Sequence, residues 1–167
     1  MESFPETPLS PLIKQLSLND LNMQKIQKHL VLINTGIPKQ GQAFFETMVE
    51  RYCLRETCTL QAIERNNTLN RELAECLVVG DLSGIGQVMQ SQWENWKILS
   101  EGKCTNPQID RLFAEATPCV YGARMNGAGQ GGCAMFISRE GKKEELIHLI
   151  RTVLGDSVTF YKWEPIL

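Results

Sequence analysis

The sequence has 167 residues and a formal net charge of -2 at pH 7, from 17 basic and 19 acidic side chains spread along the chain. This length predicts a single domain with one core, too short to join a nucleotide-binding domain to a separate substrate domain. The even charge balance argues against nucleic acid or an anionic membrane surface as a partner, because it offers no basic patch.

The apolar residues and the cysteines indicate the class of protein. No apolar stretch approaches the roughly 20 residues of a membrane span, and the N-terminus has neither the basic nor the apolar region of a secretion signal. The six cysteines form no Cys-x-x-Cys pair and fall mostly within predicted helices and strands, as packed, reduced thiols do. We therefore expect a soluble, cytoplasmic protein without a metal site or a membrane segment.

Proline-rich sequence opens the chain. Three prolines within Met1–Pro11 exclude a helix and predict an extended arm. The apolar residues that follow predict at least one short helix, beginning at Ser17 or Asn19 and reaching His29. The continuous apolar run Leu30–Gly36 is typical of a buried strand. We therefore divide the chain into an N-terminal arm with a short helix, residues 1–29, and the main domain, residues 30–167.

Long helices are predicted after this first strand. They cover residues 40–55, 56–79 and about 82–99. Gly80 ends the second of them, and Asp81 is a candidate N-cap for the third. Trp93 and Trp96 share one face of the third helix, where they either stack on a sugar or, as such pairs more often do, pack in the core.

The C-terminal part alternates strands and helices around a glycine-rich turn. Asn106 and Pro107 begin a helix as cap and first helical residue, and Pro118 ends it. The remaining elements are strands over 119–123 and 133–137, a helix over 142–154 and a closing strand over 157–163. Together with the first strand, this gives the βαββαβ order of a ferredoxin-like α+β sheet, with extra helices in the first crossover.

The run Gly122–Cys133 holds the candidate functional residues. Its glycines let backbone N–H groups face one concavity and let a charged ligand approach without a Cβ in the way, as phosphate-binding loops require. A simple hairpin turn needs only one or two glycines. The phosphate-facing residues are predicted to be Gly127, Ala128, Gly129, Gln130, Gly131 and Gly132.

Two known phosphate motifs do not fit this loop. Gly127, Gly129 and Gly132 satisfy Gly-x-Gly-x-x-Gly, but a strand follows where a dinucleotide-binding motif needs a helix. A Walker loop fails because no Gly-Lys-Ser/Thr closes the motif. The run Ser83–Gly86 superficially resembles a glycine/serine-rich phosphate loop, but it lies within a predicted helix and is rejected. Arg124 offers a positive charge beside the glycines, either for a phosphate or substrate or, as is more frequent, for a surface ion pair.

The segment Tyr121–Cys133 resembles the third, C-terminal glycine-rich motif of the GHMP kinases, the superfamily of galactokinase, homoserine kinase, mevalonate kinase and phosphomevalonate kinase. Other segments are similar, in order and spacing, to the branch that holds heptose-7-phosphate kinases and fucokinases. These segments are Leu32–Gly36, Trp93–Lys97, Leu99–Gly102, Thr105–Asp110 and Phe160–Pro165. The resemblance covers roughly residues 30 to 165.

The resemblance implies the C-terminal domain of a sugar kinase, whose fold agrees with the predicted ferredoxin-like order. Family members transfer a phosphoryl group from ATP to a sugar hydroxyl, the anomeric one in the heptose and fucose branch, with Mg²⁺ neutralising phosphate charge. The implied partners are an ATP-binding N-terminal half, from the same parent chain or a separate one, and a sugar or sugar phosphate. This chain shows no counterpart of that half, so alone we expect it to phosphorylate nothing.

Two other functions stay open, a stand-alone small-metabolite-binding or regulatory module without catalysis and a structural remnant. An RNA-binding domain of the same strand order is disfavoured, because no strand pairs exposed aromatic with basic residues. His148 is expected on a helix surface, and His29 precedes a strand without a carboxylate pattern, so no catalytic acid or base is assigned. Arg124 is similar to the galactokinase motif, whereas the heptose branch more often has lysine, which leaves the acceptor sugar open. In an assembled enzyme, Gly129→Val is expected to abolish activity.

Overall fold

The structure, a computed structural model, describes residues 16–38 and 42–163. Its helices in this part of the chain are α1 (Asp20–His29), α2 (Gln42–Cys53), α3 (Thr57–Val79), α4 (Leu82–Leu99), α5 (Pro107–Ala116) and α6 (Lys143–Leu154). Its strands are β1 (Leu30–Asn34), β2 (Val120–Met125), β3 (Cys133–Ser138) and β4 (Thr159–Tyr161). The arm predicted over Met1–Pro11 lies outside the described residues.

The four strands form one antiparallel sheet in the order β2-β3-β1-β4. Strand β1 lies between β3 and β4, so that Leu32 is opposite both Met135 and Tyr161. Strands β2 and β3 form a hairpin, with an irregularity in register between Val120 and Gly122. Helices α2 to α5 make the first crossover and α6 the second. This is the predicted ferredoxin-like α+β order, which is confirmed.

The main core lies between one face of the sheet and helices α5 and α6. Alternation along the strands directs Ile33 and Phe136 into it, against Ile109 of α5 and Ile150 of α6. Trp93 of α4 joins the same core, so core packing is confirmed as its role.

A second, smaller core lies on the other side of the sheet. Ile26 of α1 packs there with Ile85 and Met89 of α4 and with Ile137 of β3. Helix α1 thus packs against α4 and the sheet. The division of the chain at residue 30 stays a prediction.

Helix α4 lies directly on strand β2, backbone against backbone. A Cβ on Gly122 would stand 1.8 Å from the carbonyl oxygen of Gly86, and a Cβ on Gly86 would stand 2.5 Å from the backbone of Tyr121. Real Cβ atoms do not approach other atoms this closely, so both positions require glycine. The contact fixes α4 beside the strand that leads into the glycine-rich turn.

Local capping signals are met at some helix ends and not at others. Gly80 ends α3 with a φ of 68°, and Asn106 caps α5 by accepting from two backbone N–H groups at 3.1 and 3.0 Å. Asn19 caps α1 by accepting from the N–H group of Asn22. Asp81 occupies the N-cap position of α4, but its side chain makes no capping hydrogen bond.

All six cysteines are free thiols. Cys104 and Cys119 are buried, as expected, whereas Cys53 and Cys58 are exposed, so the prediction of packed thiols is wrong for these two. Burial raises the pKa of both Cys104 and Cys119, and a hydrogen bond to Glu145 raises that of Cys119 further. In the described part of the chain, no helix has the length and apolar character that crossing a membrane requires.

Alkylation should separate these thiols. Only the thiolate reacts, so a raised pKa lowers the reactive fraction at any given pH, and burial blocks access as well. We expect iodoacetamide at pH 8 to modify Cys53 and Cys58 at least about tenfold faster than Cys104 and Cys119 in the folded chain. Peptide mass spectrometry over time measures these rates, with the urea-unfolded chain as the control in which all four react alike.

Candidate functional site

The glycine loop, residues 126–132, joins β2 to β3. Gly127, Gly129 and Gly132 have φ angles of 73°, 84° and 74°, and Gln130 has a φ of 60°. All four lie in the left-handed region, which glycine adopts without penalty and other residues only at a cost. The path of the chain therefore favours glycine at these positions whether or not a ligand binds.

Two amide groups tie the glycine loop to segments that are distant in sequence. The N–H of Gln130 donates to the carbonyl of Cys104 at 2.5 Å, in the segment between α4 and α5. The N–H of Gly132 donates to the carbonyl of Ile37 at 3.2 Å, in the segment after β1. The loop is thus held between two other loops at one end of the sheet.

Close backbone approach explains Gly131 and is a second reason for glycine at position 129. A Cβ on Gly129 would stand 2.1 Å from the carbonyl oxygen of Cys104, and a Cβ on Gly131 would stand 2.3 Å from that of Ile37. A Cβ on Gly127, in contrast, would meet no atom within 4 Å. Gly129 and Gly131 therefore brace the loop, whereas Gly127 faces open space.

Several backbone donors of the glycine loop are left over. Within the described residues, no hydrogen bond engages the N–H groups of Gly127, Ala128, Gly129 or Gly131. Gly127 is exposed and Ala128 half-buried, so the N–H groups of these two are the ones nearest to solvent. Successive unpartnered amides in a glycine-rich concavity suit an anionic oxygen. The site can therefore accept a phosphate group.

Gln130 holds the loop from within. Its side-chain Nε2 donates to the carbonyl of Lys103, and its own carbonyl accepts from Asn106 Nδ2 at 2.6 Å. Asn106 also caps α5 through its Oδ1, which accepts from the N–H groups of Gln108 and Ile109. One asparagine thus couples the start of a helix to the shape of the glycine loop, which the sequence did not reveal.

Asn106→Asp should separate these two roles. The carboxylate keeps the capping acceptor but removes the donor to Gln130 and faces its carbonyl instead. We expect hydrogen exchange at the amides of residues 127–131 to accelerate about tenfold, because a lost hydrogen bond of this kind is worth roughly 1–1.5 kcal/mol. Exchange measured by mass spectrometry tests this. The matched control is Asn19→Asp at the N-cap of α1, where exchange in the glycine loop should not change.

Arg124 lies at the end of β2, beside the glycine loop, and is half-buried. Its Nη1 donates to Oε1 of Gln92, and its Nε donates to the carbonyl of Met125 at 3.3 Å. No carboxylate of the described residues forms a salt bridge with it, so a surface ion pair is not its role there. Burial lowers the pKa of its guanidinium, since removal from water disfavours the charged form.

A cleft of about 220 Å³ opens in front of this arginine. We call it the Arg124 cleft. It lies between α3, α4 and the end of β2, and Gly127 forms part of its rim, so that the cleft and the glycine loop are one continuous site. Its lining includes Asn66, Asn70, Gln92, Trp96, Arg124 and Gly127.

The two histidines and the run Ser83–Gly86 lie away from this site. His148 is exposed on α6, as expected. His29 is buried, with its Nδ1 2.9 Å from the carbonyl oxygen of Ser138 at the opposite end of β3. Ser83–Gly86 lies within α4, which confirms its rejection as a phosphate loop. Among the residues that the structure describes, no cluster of three His, Cys, Asp or Glu side chains is positioned to hold a metal ion.

Comparison with known proteins identifies relatives. Residues 72–154 match the family model described as GHMP kinases C terminal. The bifunctional fucokinase/GDP-fucose pyrophosphorylase of Arabidopsis thaliana is 24% identical over 162 residues, which are 96% of this chain and 15% of that enzyme. The galactokinase of Homo sapiens is 32% identical over 92 residues, which are 54% of this chain and 23% of that enzyme.

A bacterial relative and two solved structures agree with this. The D-glycero-alpha-D-manno-heptose 7-phosphate kinase of Campylobacter jejuni is 23% identical over 145 residues, or 86% of this chain and 42% of that enzyme. The L. major mevalonate kinase in complex with R-mevalonate has a TM-score of 0.65 at 16% identity, over 80% of this chain and 40% of that one. A Lin0012 protein from Listeria innocua has a TM-score of 0.69 at 12% identity, over 79% and 38%. At these identities the two solved structures show only that the fold is shared. The chain spans less than half the length of each relative and each solved structure named here.

Proposed function

Because the chain carries a GHMP kinase C-terminal domain, we propose that it is the C-terminal half of an ATP-dependent sugar kinase. The reaction is the transfer of a phosphoryl group from ATP to a sugar hydroxyl, with the anomeric hydroxyl as the acceptor. The observation that carries this proposal is the glycine loop, whose unpartnered amides lie beside the uncompensated charge of Arg124. Both features suit the charge that develops on a transferred phosphoryl group.

Some residues of the predicted phosphate loop contact the phosphate, and the others hold the loop in its shape. The N–H groups of Gly127 and Ala128 face the phosphate, while Gly129 and Gly131 let the loop pass the carbonyls behind it. Gln130 and Gly132 fix its shape through their hydrogen bonds. Arg124 contacts the phosphate or the acceptor from the floor of the cleft. No residue is assigned as the catalytic acid or base.

The hydrogen-bond donors of this chain suit the phosphate groups of ATP but not its Mg²⁺ ion. Amide donors and one guanidinium accommodate phosphate oxygens, and bound ATP would supply the phosphoryl group. Mg²⁺ is different, because no three His, Cys, Asp or Glu side chains of the described residues cluster to hold it. In this proposal the ligands of Mg²⁺ come from the phosphates and from the ATP-binding half.

Activity is proposed to depend on an ATP-binding N-terminal half. The relatives are larger enzymes of which this chain matches 15 to 42%, and the phosphate loop described above is open on the side of Gly127. The partner half completes the site there, either within the same parent chain or as a separate protein. The 167-residue chain alone is expected to bind ligands without turning them over.

The test is phosphoryl transfer by the protein as its source makes it. The natively purified species is incubated with radiolabelled ATP, Mg²⁺ and, in separate reactions, fucose, galactose and a heptose 7-phosphate. We expect ATP-dependent product with one of these acceptors and none with the 167-residue chain alone. A native species that binds sugars or sugar phosphates without transferring phosphate would overturn the kinase and support a metabolite-binding module.

A further inference from the structure

A chain of side-chain hydrogen bonds in the Arg124 cleft runs in one fixed direction. A guanidinium can only donate, so the atom of Gln92 that faces Arg124 Nη1 must be its oxygen, Oε1. The amide nitrogen of Gln92 then faces the other way and donates to Oδ1 of Asn70 at 2.8 Å. Gln92 is 3% exposed, so its surroundings hold it in this orientation.

This direction decides which groups the cleft offers to a ligand. With its oxygen engaged by Gln92, Asn70 presents its amide nitrogen, whose two hydrogens have no partner among the described residues. Asn66 lines the same cleft, and its side chain forms no hydrogen bond with the described residues. Nη2 of Arg124 donates to none of the described residues either. The cleft therefore presents mainly N–H donors, and its natural ligand is a group rich in acceptors.

Charge points to the same kind of ligand. No acidic residue among those described lines the cleft, so Arg124 contributes an unbalanced positive charge. A partly buried arginine without a carboxylate is costly, because neutral acceptors such as Gln92 and the Met125 carbonyl return only part of the solvation that the charge loses. Burial of the guanidinium lowers its pKa with no opposing cause, in keeping with this. An anion with several oxygens would supply both the missing charge and the missing acceptors.

We propose that the Arg124 cleft binds a phosphate group, held by Arg124 and Asn70, and that Gln92 is the positioning residue that aims their donors at it. This proposal rests on the proposed function only in naming the molecule that carries the phosphate. That molecule is either the acceptor sugar or ATP, through its terminal phosphate. An acceptor that carries its own phosphate would fill the cleft while its sugar ring reaches the glycine loop. If the acceptor is the source, the substrate class is a sugar phosphate.

The first test is ligand binding by the 167-residue chain. Intrinsic tryptophan fluorescence follows titration with glucose 6-phosphate, inorganic phosphate or glucose, because Trp93 and Trp96 line the cleft. We expect the two phosphates to saturate and glucose to leave the signal unchanged. No saturation by either phosphate, or equal binding of glucose, would overturn the proposal.

Gln92→Glu is the decisive variant. The carboxylate is nearly isosteric with the amide of Gln92, and its negative charge balances that of Arg124. Because a carboxylate can only accept, the amide nitrogen of Asn70 must turn toward it and away from the cleft. The cleft then loses both its net charge and its donors. We expect the affinity for glucose 6-phosphate to fall at least about tenfold, while the melting temperature stays level or rises. The matched control is Gln87→Glu on the exposed face of the same helix, with the same change in net charge and unchanged affinity. Equal affinity in Gln92→Glu and the wild-type chain would contradict the proposal.

Competition separates the two sources of phosphate. If ATP displaces glucose 6-phosphate, the cleft takes the phosphates of the nucleotide; if both bind together, it takes the phosphate of the acceptor. Either result supports phosphate binding in the cleft. These measurements do not depend on turnover, so the two proposals can fail separately. If the native protein is an active kinase but the chain binds no phosphate, only the proposal for the cleft is disproved. If the chain binds phosphate but the native protein transfers none, only the proposed kinase activity is disproved.

Discussion

Gly122→Ala is expected to lower the free energy of unfolding by roughly 3 kcal/mol or more. The new Cβ would stand 1.8 Å from the carbonyl oxygen of Gly86, and backbone is on both sides of the contact. Helix α4 would have to leave strand β2, which would also open the Arg124 cleft. Urea unfolding followed by circular dichroism measures the change.

Gly141→Ala is the control for this substitution. Gly141 has a φ of 69° and open space around its Cβ position, so alanine there carries only the strain of the left-handed region, about 1–2 kcal/mol. Gly122 has no such φ, so any loss at Gly122 is steric. If Gly122→Ala were no more destabilising than Gly141→Ala, helix α4 would not be seated on β2 as described.

Ala128→Asp is expected to reduce phosphoryl transfer by the assembled enzyme about a hundredfold or more. A carboxylate beside the free amides of the glycine loop would repel a phosphate, and like charges brought together at a binding site cost several kcal/mol. Ala128 is half-buried at the loop. Steady-state kinetics at saturating ATP and acceptor measure the loss.

The control is Ala128→Asn, which has the same size without the charge. It should retain most of the activity, and unfolding of both variants should match that of the wild-type protein within about 1 kcal/mol. Equal activity of the two variants would remove this loop from phosphate binding. Gly129→Val is a weaker test, because its side chain would collide with the carbonyl of Cys104 and change the loop's shape.

The elements of the fold were predictable because their signals are local. Gly80 and the pair Asn106–Pro107 mark helix ends by the conformations they favour, and the apolar run from Leu30 marks a buried strand whatever surrounds it. Once the order of elements was known, the ferredoxin-like sheet followed. The N-cap at Asp81 shows the limit, since its position was right but its side chain does not cap.

The site was predictable only in outline. The density of glycines indicated a loop that offers amides, but the division between bracing and open glycines depends on Cys104 and Ile37, which are distant in sequence. Asn70 and Gln92 were missed because isolated polar residues in long helices look like a solvated face. Only the packing of α3 on α4, and of α4 on β2, brings them to Arg124.

The intact mass of the protein purified natively from its source shows whether this domain works alone or as half of a sugar kinase. We expect this domain to travel with an ATP-binding half, either in one chain well above 18.9 kDa or in a stable complex with a second protein. A species of 18.9 kDa alone, with no partner bound, would contradict the claim that the domain works as half of a sugar kinase.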